Sequence, residues 1–160
     1  MIKKFFLWAA VISVMAAIFL FSSQNADTST KTSTGFTEKN ISIFDAEHSL
    51  NEEEVHNLAD RLDHIIRKSA HFTIYSVLGF FIFLLLAAYR AASFKTGLYS
   101  LLWAFLYSCS DEVHQHFVPG RTMLALDVLI DSCGALCGIL LAALCCFIAG
   151  RISKRRSVHS

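Results

Sequence analysis

Long apolar blocks separated by short polar joints dominate the pattern along this chain. The blocks occupy residues 5–21, 72–89, 97–109 and 124–148. A helix needs about 20 mainly apolar residues to cross a bilayer, fewer where the bilayer thins. The pattern therefore predicts an all-α integral membrane protein with four transmembrane helices, at about 5–22, 70–89, 97–115 and 124–149. The third has the shortest purely apolar part. Between the first two spans lies a long polar loop, 23–68, whose part 25–44 is rich in Ser and Thr and reads as exposed. Ser49 stands three residues before Glu52, the spacing of a capping box. From Asn51 to Lys68 there is no Gly or Pro, and Val55, Leu58, Leu62 and Ile65 recur at helical spacing among acidic positions. This predicts an amphipathic helix that leads without a break into the second span, either lying along the membrane surface or packing on the other helices. Pro119, the only proline, forms with Gly120 a turn between spans three and four.

Charge then orients the chain. Lys3 and Lys4 flank span one, Arg90 and Lys95 lie between spans two and three, and Arg151, Lys154, Arg155 and Arg156 follow span four. With four spans all three groups fall on one side, so both termini are expected in the cytoplasm and loop 23–68 outside it. A basic start before an apolar block also resembles a signal peptide. The block is long for that and the small-residue cleavage pattern after it is poor, so an uncleaved span is the preferred expectation and a cleaved signal the alternative. The chain reads as one domain, 1–160.

Composition adds little. The chain is 54% hydrophobic with a formal net charge of +1, and no basic stripe with interleaved aromatics points to nucleic acid. Cys109, Cys133, Cys137, Cys145 and Cys146 all fall in or at apolar spans without metal or disulfide spacing, and are expected to be small buried hydrophobes.

The chemistry concentrates between Asp111 and Asp131, with Glu112, His114, Gln115, His116, Arg121 and Asp127. Asp127 and Asp131 fall inside the fourth apolar block; ionisable groups at membrane depth are costly and suggest a working site, the plainer alternative being that these two only cap a helix near the interface. The four-span topology carries Ser22–Gln24, Arg67, Lys68 and His71 to the same outer face as this stretch. Asp127, Asp131, Gly134 and Gly138 form one helical stripe, and Lys68, His71, Tyr75 and Gly79 another. Gly134-x-x-x-Gly138 permits close helix approach, so spans two and four are expected to pack tightly with His71 near Asp127 or Asp131. Such a group can do acid–base work or bind a divalent metal; no metal and no cofactor is assigned. His71, Glu112 and Asp127 are the catalytic candidates. Lys68, His71, Tyr75, Asp111, Glu112, Gln115, Arg121, Asp127 and Asp131 are the binding candidates. Arg121, the only cation of its short loop, is expected to pair with Glu112, Asp127 or a ligand anion.

With these residues assembled, the chain resembles the VanZ-like family of small bacterial membrane proteins. The matching stretches are Phe21-Ser22-Ser23-Gln24; Arg67-Lys68-Ser69-Ala70-His71-Phe72 with Tyr75 and Gly79; and Asp111-Glu112 with Gln115, Phe117, Val118-Pro119-Gly120-Arg121, Asp127, Asp131, Gly134 and Gly138. The resemblance implies a four-helix protein of the bacterial cell membrane and a link to resistance against teicoplanin-type glycopeptide antibiotics, which act outside the cell on lipid-linked wall precursors. Three function classes are ranked. The leading one is a protein whose outward-facing polar site engages an envelope lipid or a lipid-linked cell-wall component. The alternative is a membrane-embedded hydrolase or transferase acting on such a substrate. A proton-coupled transporter ranks third, because the cytoplasmic halves of the spans carry no polar relay.

Overall fold

A computed structural model of the chain describes residues 2–24, 52–119, 121 and 123–158. The Ser/Thr-rich stretch 25–44 and Ser49 of the expected capping box lie outside the described residues. The described chain forms four helices: α1 (Ile2–Ser22), α2 (Glu52–Arg90), α3 (Phe94–His116) and α4 (Ala125–Val158). The 39 residues of α2 run through Arg67–His71 without interruption, as the sequence predicts, and at 1.5 Å per residue span about 58 Å. That exceeds a bilayer, and only the section Ile65–Arg90 has the apolar composition of a span.

Neighbouring helices alternate in direction. On α1 and α2, Trp8 Nε1 donates to Tyr89 Oη (3.4 Å) and the Lys4 ammonium lies over the same Tyr89 ring, so the start of α1 meets the end of α2. On α1 and α3, Trp8 packs edge-on against Trp103, Tyr107 donates to the Met15 carbonyl and Ser22 to Asp111; these two run parallel. On α3 and α4, Gly97 faces Ile139 while Ser108 donates to Asp131, an antiparallel pair.

The most extensive contact is the parallel pair α2–α4, and glycine is its cause. A Cβ on Gly134 would strike the Phe72 carbonyl, one on Gly138 would lie 2.7 Å from the Ser76 carbonyl carbon, and one on Gly79 would lie 2.8 Å from the Ala135 Cα. The backbones touch because these positions carry no side chain, as the two glycine stripes predict. Around this seam Tyr75, Leu78, Ile82, Leu85, Ala104 and Ala135 are fully buried. The joint between α2 and α3 is tight: Ala91 takes a left-handed conformation (φ 65°) and Ser93 caps α3 by accepting from the Thr96 amide (3.2 Å).

Three helices are long and apolar enough to cross a membrane: α1, the Ile65–Arg90 section of α2, and Ala125–Arg155 of α4. The α3 helix falls short of that composition, and its burial pattern gives the reason. Its inward stripe is polar, with Thr96, Ser100, Ser108, Asp111, Glu112 and Gln115 all buried, whereas Leu98, Leu102, Phe105, Leu106 and Val113 point outward. Averaging over the sequence mixes the two faces. The cysteines depart from expectation: Cys133, Cys137 and Cys145 are exposed on the outer surface of α4 and Cys109 and Cys146 are half-buried, because the inward face of α4 is taken by its carboxylates and glycines.

Candidate functional site

Polar residues from all four helices meet at one end of the bundle, where α1 and α3 finish and the apolar section of α2 and α4 begin. Two hydrogen-bonded groups make up this end, and they meet at α3.

The first group closes the outer rim. Asp111 accepts through Oδ2 from Ser22 Oγ (2.8 Å) and from Gln115 Nε2 (2.9 Å), one helical turn along. The Gln115 amide oxygen in turn accepts from Arg121 (3.1 Å), whose Nε donates to the Gln24 carbonyl (3.0 Å). Among the described residues this arrangement corrects the two carboxylate partners expected for Arg121. It pairs with neither Glu112 nor Asp127 but straps the end of α1 to the end of α3, using two edges of its planar fork at once. Its partners are neutral because the turn at Val118–Arg121 aims it back across α3. Burial, and then the nearby Arg67 guanidinium, lower its pKa from the ordinary arginine value; it stays a cation throughout the physiological range.

The second group lies deeper, between α2, α3 and α4. Asp131 is 1% exposed. Its Oδ2 accepts from Ser108 Oγ (2.8 Å), and its Oδ1 faces His71 Nδ1 at 3.6 Å without a hydrogen-bond partner. One turn nearer the rim, Lys68 and Asp127 form an ion pair at 2.8 Å, each side chain a little over a quarter exposed. The two aspartates thus divide two α2 side chains between them, Asp127 with Lys68 and Asp131 with His71, as stripes on parallel helices require. Tyr75 is wholly buried below His71; its hydroxyl lies near Ser108 without a well-formed hydrogen bond among the described residues.

Glu112 is buried too, and accepts through Oε2 from the Leu124 amide (3.0 Å). Leu124 immediately precedes α4, so this carboxylate sits at the positive end of that helix and satisfies one of its unpaired amides. Glu112 thus caps the start of α4 from the end of α3. His114 points to α1, with Nε2 3.1 Å from Ser23 Oγ and its ring stacked on Phe19, while His116 is exposed; the two do not form a pair.

Structure brings together His71, Asp111 and Asp131, whose nearest ligand atoms all lie within 4.8 Å of one another. Sequence reasoning had each of these but missed Ser22 and Ser108 as their hydroxyl donors. The available signal was the buried rhythm Ser100, Ala104, Ser108, Asp111 and Gln115 at near-helical spacing on α3. Beside the Lys68–Asp127 pair a pocket of about 390 Å³ is lined by Ile65, Lys68, Ser69, Phe72, Thr73 and Ile130. A larger groove of about 740 Å³, mostly apolar, lies at the other end of the bundle between α3 and α4.

Apolar helices that show oily side chains outward and bury their carboxylates define a helical membrane protein. Within that class the chain belongs to the VanZ/LLP1 family, whose profile matches residues 6–146. No curated protein and no solved structure matches it.

Proposed function

We propose that this VanZ/LLP1-family protein crosses the bacterial cell membrane four times with both termini in the cytoplasm. Its polar end then faces outward and binds an envelope lipid or a lipid-linked cell-wall component, contributing to glycopeptide tolerance of the teicoplanin type. Support for the fourth crossing comes from direction. The α2 and α4 helices are parallel, so a chain that crosses through both must return between them, and α3 is antiparallel to α4 with an apolar outer face. Support for cytoplasmic termini comes from Lys4, Arg90 and Arg151, which cluster at the end away from the carboxylates.

The observation that carries the binding reading is the pocket beside Lys68. It sets the Lys68 ammonium, which an anionic head group would share with Asp127, against the apolar wall of Ile65, Phe72 and Ile130, the pairing that such a head group with acyl or prenyl chains requires. Lys68→Ala and Asp127→Asn separate the two halves of the ion pair. Wild type and both variants, brought to equal membrane abundance in a sensitive host, are compared for teicoplanin tolerance. The purified proteins are tested for retention of a lipid-linked peptidoglycan precursor against phosphatidylglycerol. Lys68→Ala should lose both tolerance and retention. Full tolerance and unchanged lipid retention at full abundance would refute the reading. The hydrolase or transferase alternative draws on the His71–Asp131 contact, which is of the kind that orients a general base. It predicts a chemically altered lipid after incubation, where the binding reading predicts recovery of the lipid intact.

A further inference from the structure

We propose that His71, Asp111 and Asp131 form a binding site for one divalent transition-metal ion, with zinc or manganese the fitting occupants. Three separate helices supply the donors, α2 the imidazole, α3 one carboxylate and α4 the other. The donor set is one nitrogen and two oxygens with no thiolate, which suits borderline and hard divalent ions and disfavours soft ones. The distances suit it as well. Metal–ligand bonds to imidazole and carboxylate run about 2.0–2.2 Å, which sets ligand atoms of a tetrahedral ion roughly 3.4 Å apart. All three atoms lie within 4.8 Å of one another, so the widest gap narrows by at most about 1.4 Å, within the reach of small side-chain rotations.

The orphaned oxygen is the independent observation. Asp131 is almost completely enclosed, yet among the described residues its Oδ1 accepts no hydrogen bond and has only the His71 Nδ1, 3.6 Å away, facing it. A buried carboxylate oxygen without a donor is costly, and a cation between it and Nδ1 removes the cost. The surrounding hydrogen bonds are arranged as around a metal. Ser108 holds Asp131 by Oδ2, and Ser22 and Gln115 both hold Asp111 by Oδ2. Among the described residues the hydrogen bonds to each carboxylate thus converge on one oxygen, and in Asp131 the other oxygen faces His71, the outer-shell pattern that orients metal ligands. Charge balance points the same way. Two carboxylates and an imidazole share this enclosed space, Lys68 is engaged by Asp127, and Arg121 is turned to Gln115 and Gln24. A doubly charged ion neutralises both carboxylates. His71, 22% exposed at its side chain, is the edge by which the ion enters and where a fourth ligand, water or an anionic oxygen, would complete the shell.

This proposal stands apart from the lipid reading, and its test needs no activity. Full-length protein carrying an affinity tag without histidine is purified in detergent, stripped with a chelator, and dialysed against zinc or manganese alone. Metal content is measured by mass spectrometry, and thermal unfolding with and without the ion. One equivalent of ion should remain bound and raise the unfolding temperature, since the site ties three helices together. His71→Gln and Asp131→Asn should each abolish the bound equivalent, while His114→Gln, outside the cluster, should retain it. Wild type without a stoichiometric ion, or both site variants retaining theirs, overturns the proposal. Should neither site variant fold, X-ray absorption of the wild-type zinc form decides. One imidazole with oxygen neighbours supports the site, and sulfur neighbours from the α4 cysteines overturn it.

Discussion

Asp111 and Asp131 are both enclosed carboxylates, but they differ in how many donors hold them. Asp111 takes hydrogen bonds from Ser22 and Gln115, whereas Asp131 takes one, from Ser108. Removing a hydroxyl should therefore have unequal effects. Ser108→Ala leaves Asp131 without a hydrogen-bond donor and should destabilise by about 1–3 kcal/mol; Ser22→Ala leaves Asp111 its glutamine and should cost roughly 0.5–1.5 kcal/mol. Unfolding of the two purified variants in detergent checks the order, and equal losses would mean that the hydroxyls do not carry the carboxylates. At this scale the sequence was legible wherever a helix repeats. Asp127, Asp131, Gly134 and Gly138 lie on one stripe by spacing alone, and His71 meets Asp131 as two parallel stripes demand. Arg121 was not legible, because its partners depend on where the turn after α3 leaves it relative to the end of α1. No periodicity reports that. Glu112 was ambiguous for a related reason. Capping a following helix and serving in a site call for the same carboxylate, and only the Leu124 contact distinguishes them.

At the scale of the helices, the α2–α4 seam is the most constrained contact. Gly138 cannot accept even a methyl group without displacing the Ser76 carbonyl, whereas a Cβ at Gly150 on the same helix meets nothing within 4 Å. Gly138→Ala should therefore destabilise by at least about 3 kcal/mol, the upper range for overpacking, and lower the amount of folded protein in the membrane. Gly150→Ala should be neutral or slightly stabilising, since alanine favours helix over glycine. Membrane abundance and unfolding temperature of the pair provide the measurement; tolerance of Gly138→Ala would mean that the seam opens. The long α2 was legible because nothing between Asn51 and Arg90 breaks a helix. For α3, hydropathy averages along the chain and cannot separate an inward polar stripe from an outward apolar one, so its outer face became visible only through burial.

For the whole molecule, the alternating directions place the buried carboxylates of the described residues, Asp111, Glu112 and Asp131, at one end and Lys4, Arg90 and Arg151 at the other. The proposed topology turns this polarity into a measurable asymmetry. Reporters fused after Arg156 and within residues 28–34 should report opposite sides of the membrane, the first cytoplasmic. Agreement between the two would remove the fourth crossing and, with it, the outward placement of the site.

The inward polar stripe of α3 also bears on how the protein is made. A nascent helix leaving the ribosome is sorted into lipid or water largely by its own hydrophobicity, and Asp111 and Glu112 each weigh against lipid. Asp111 finds Ser22 and Gln115 before α4 exists, but the Leu124 amide that Glu112 accepts from, and the Asp131 carboxylate that Ser108 donates to, are present only once α4 has been synthesised. On the proposed topology α3 would wait at the translocon for its successor and enter with it as a hairpin. A chain truncated after His116 would then leave α3 outside the bilayer, and the order of synthesis, rather than the apolar content of α3, would determine its place.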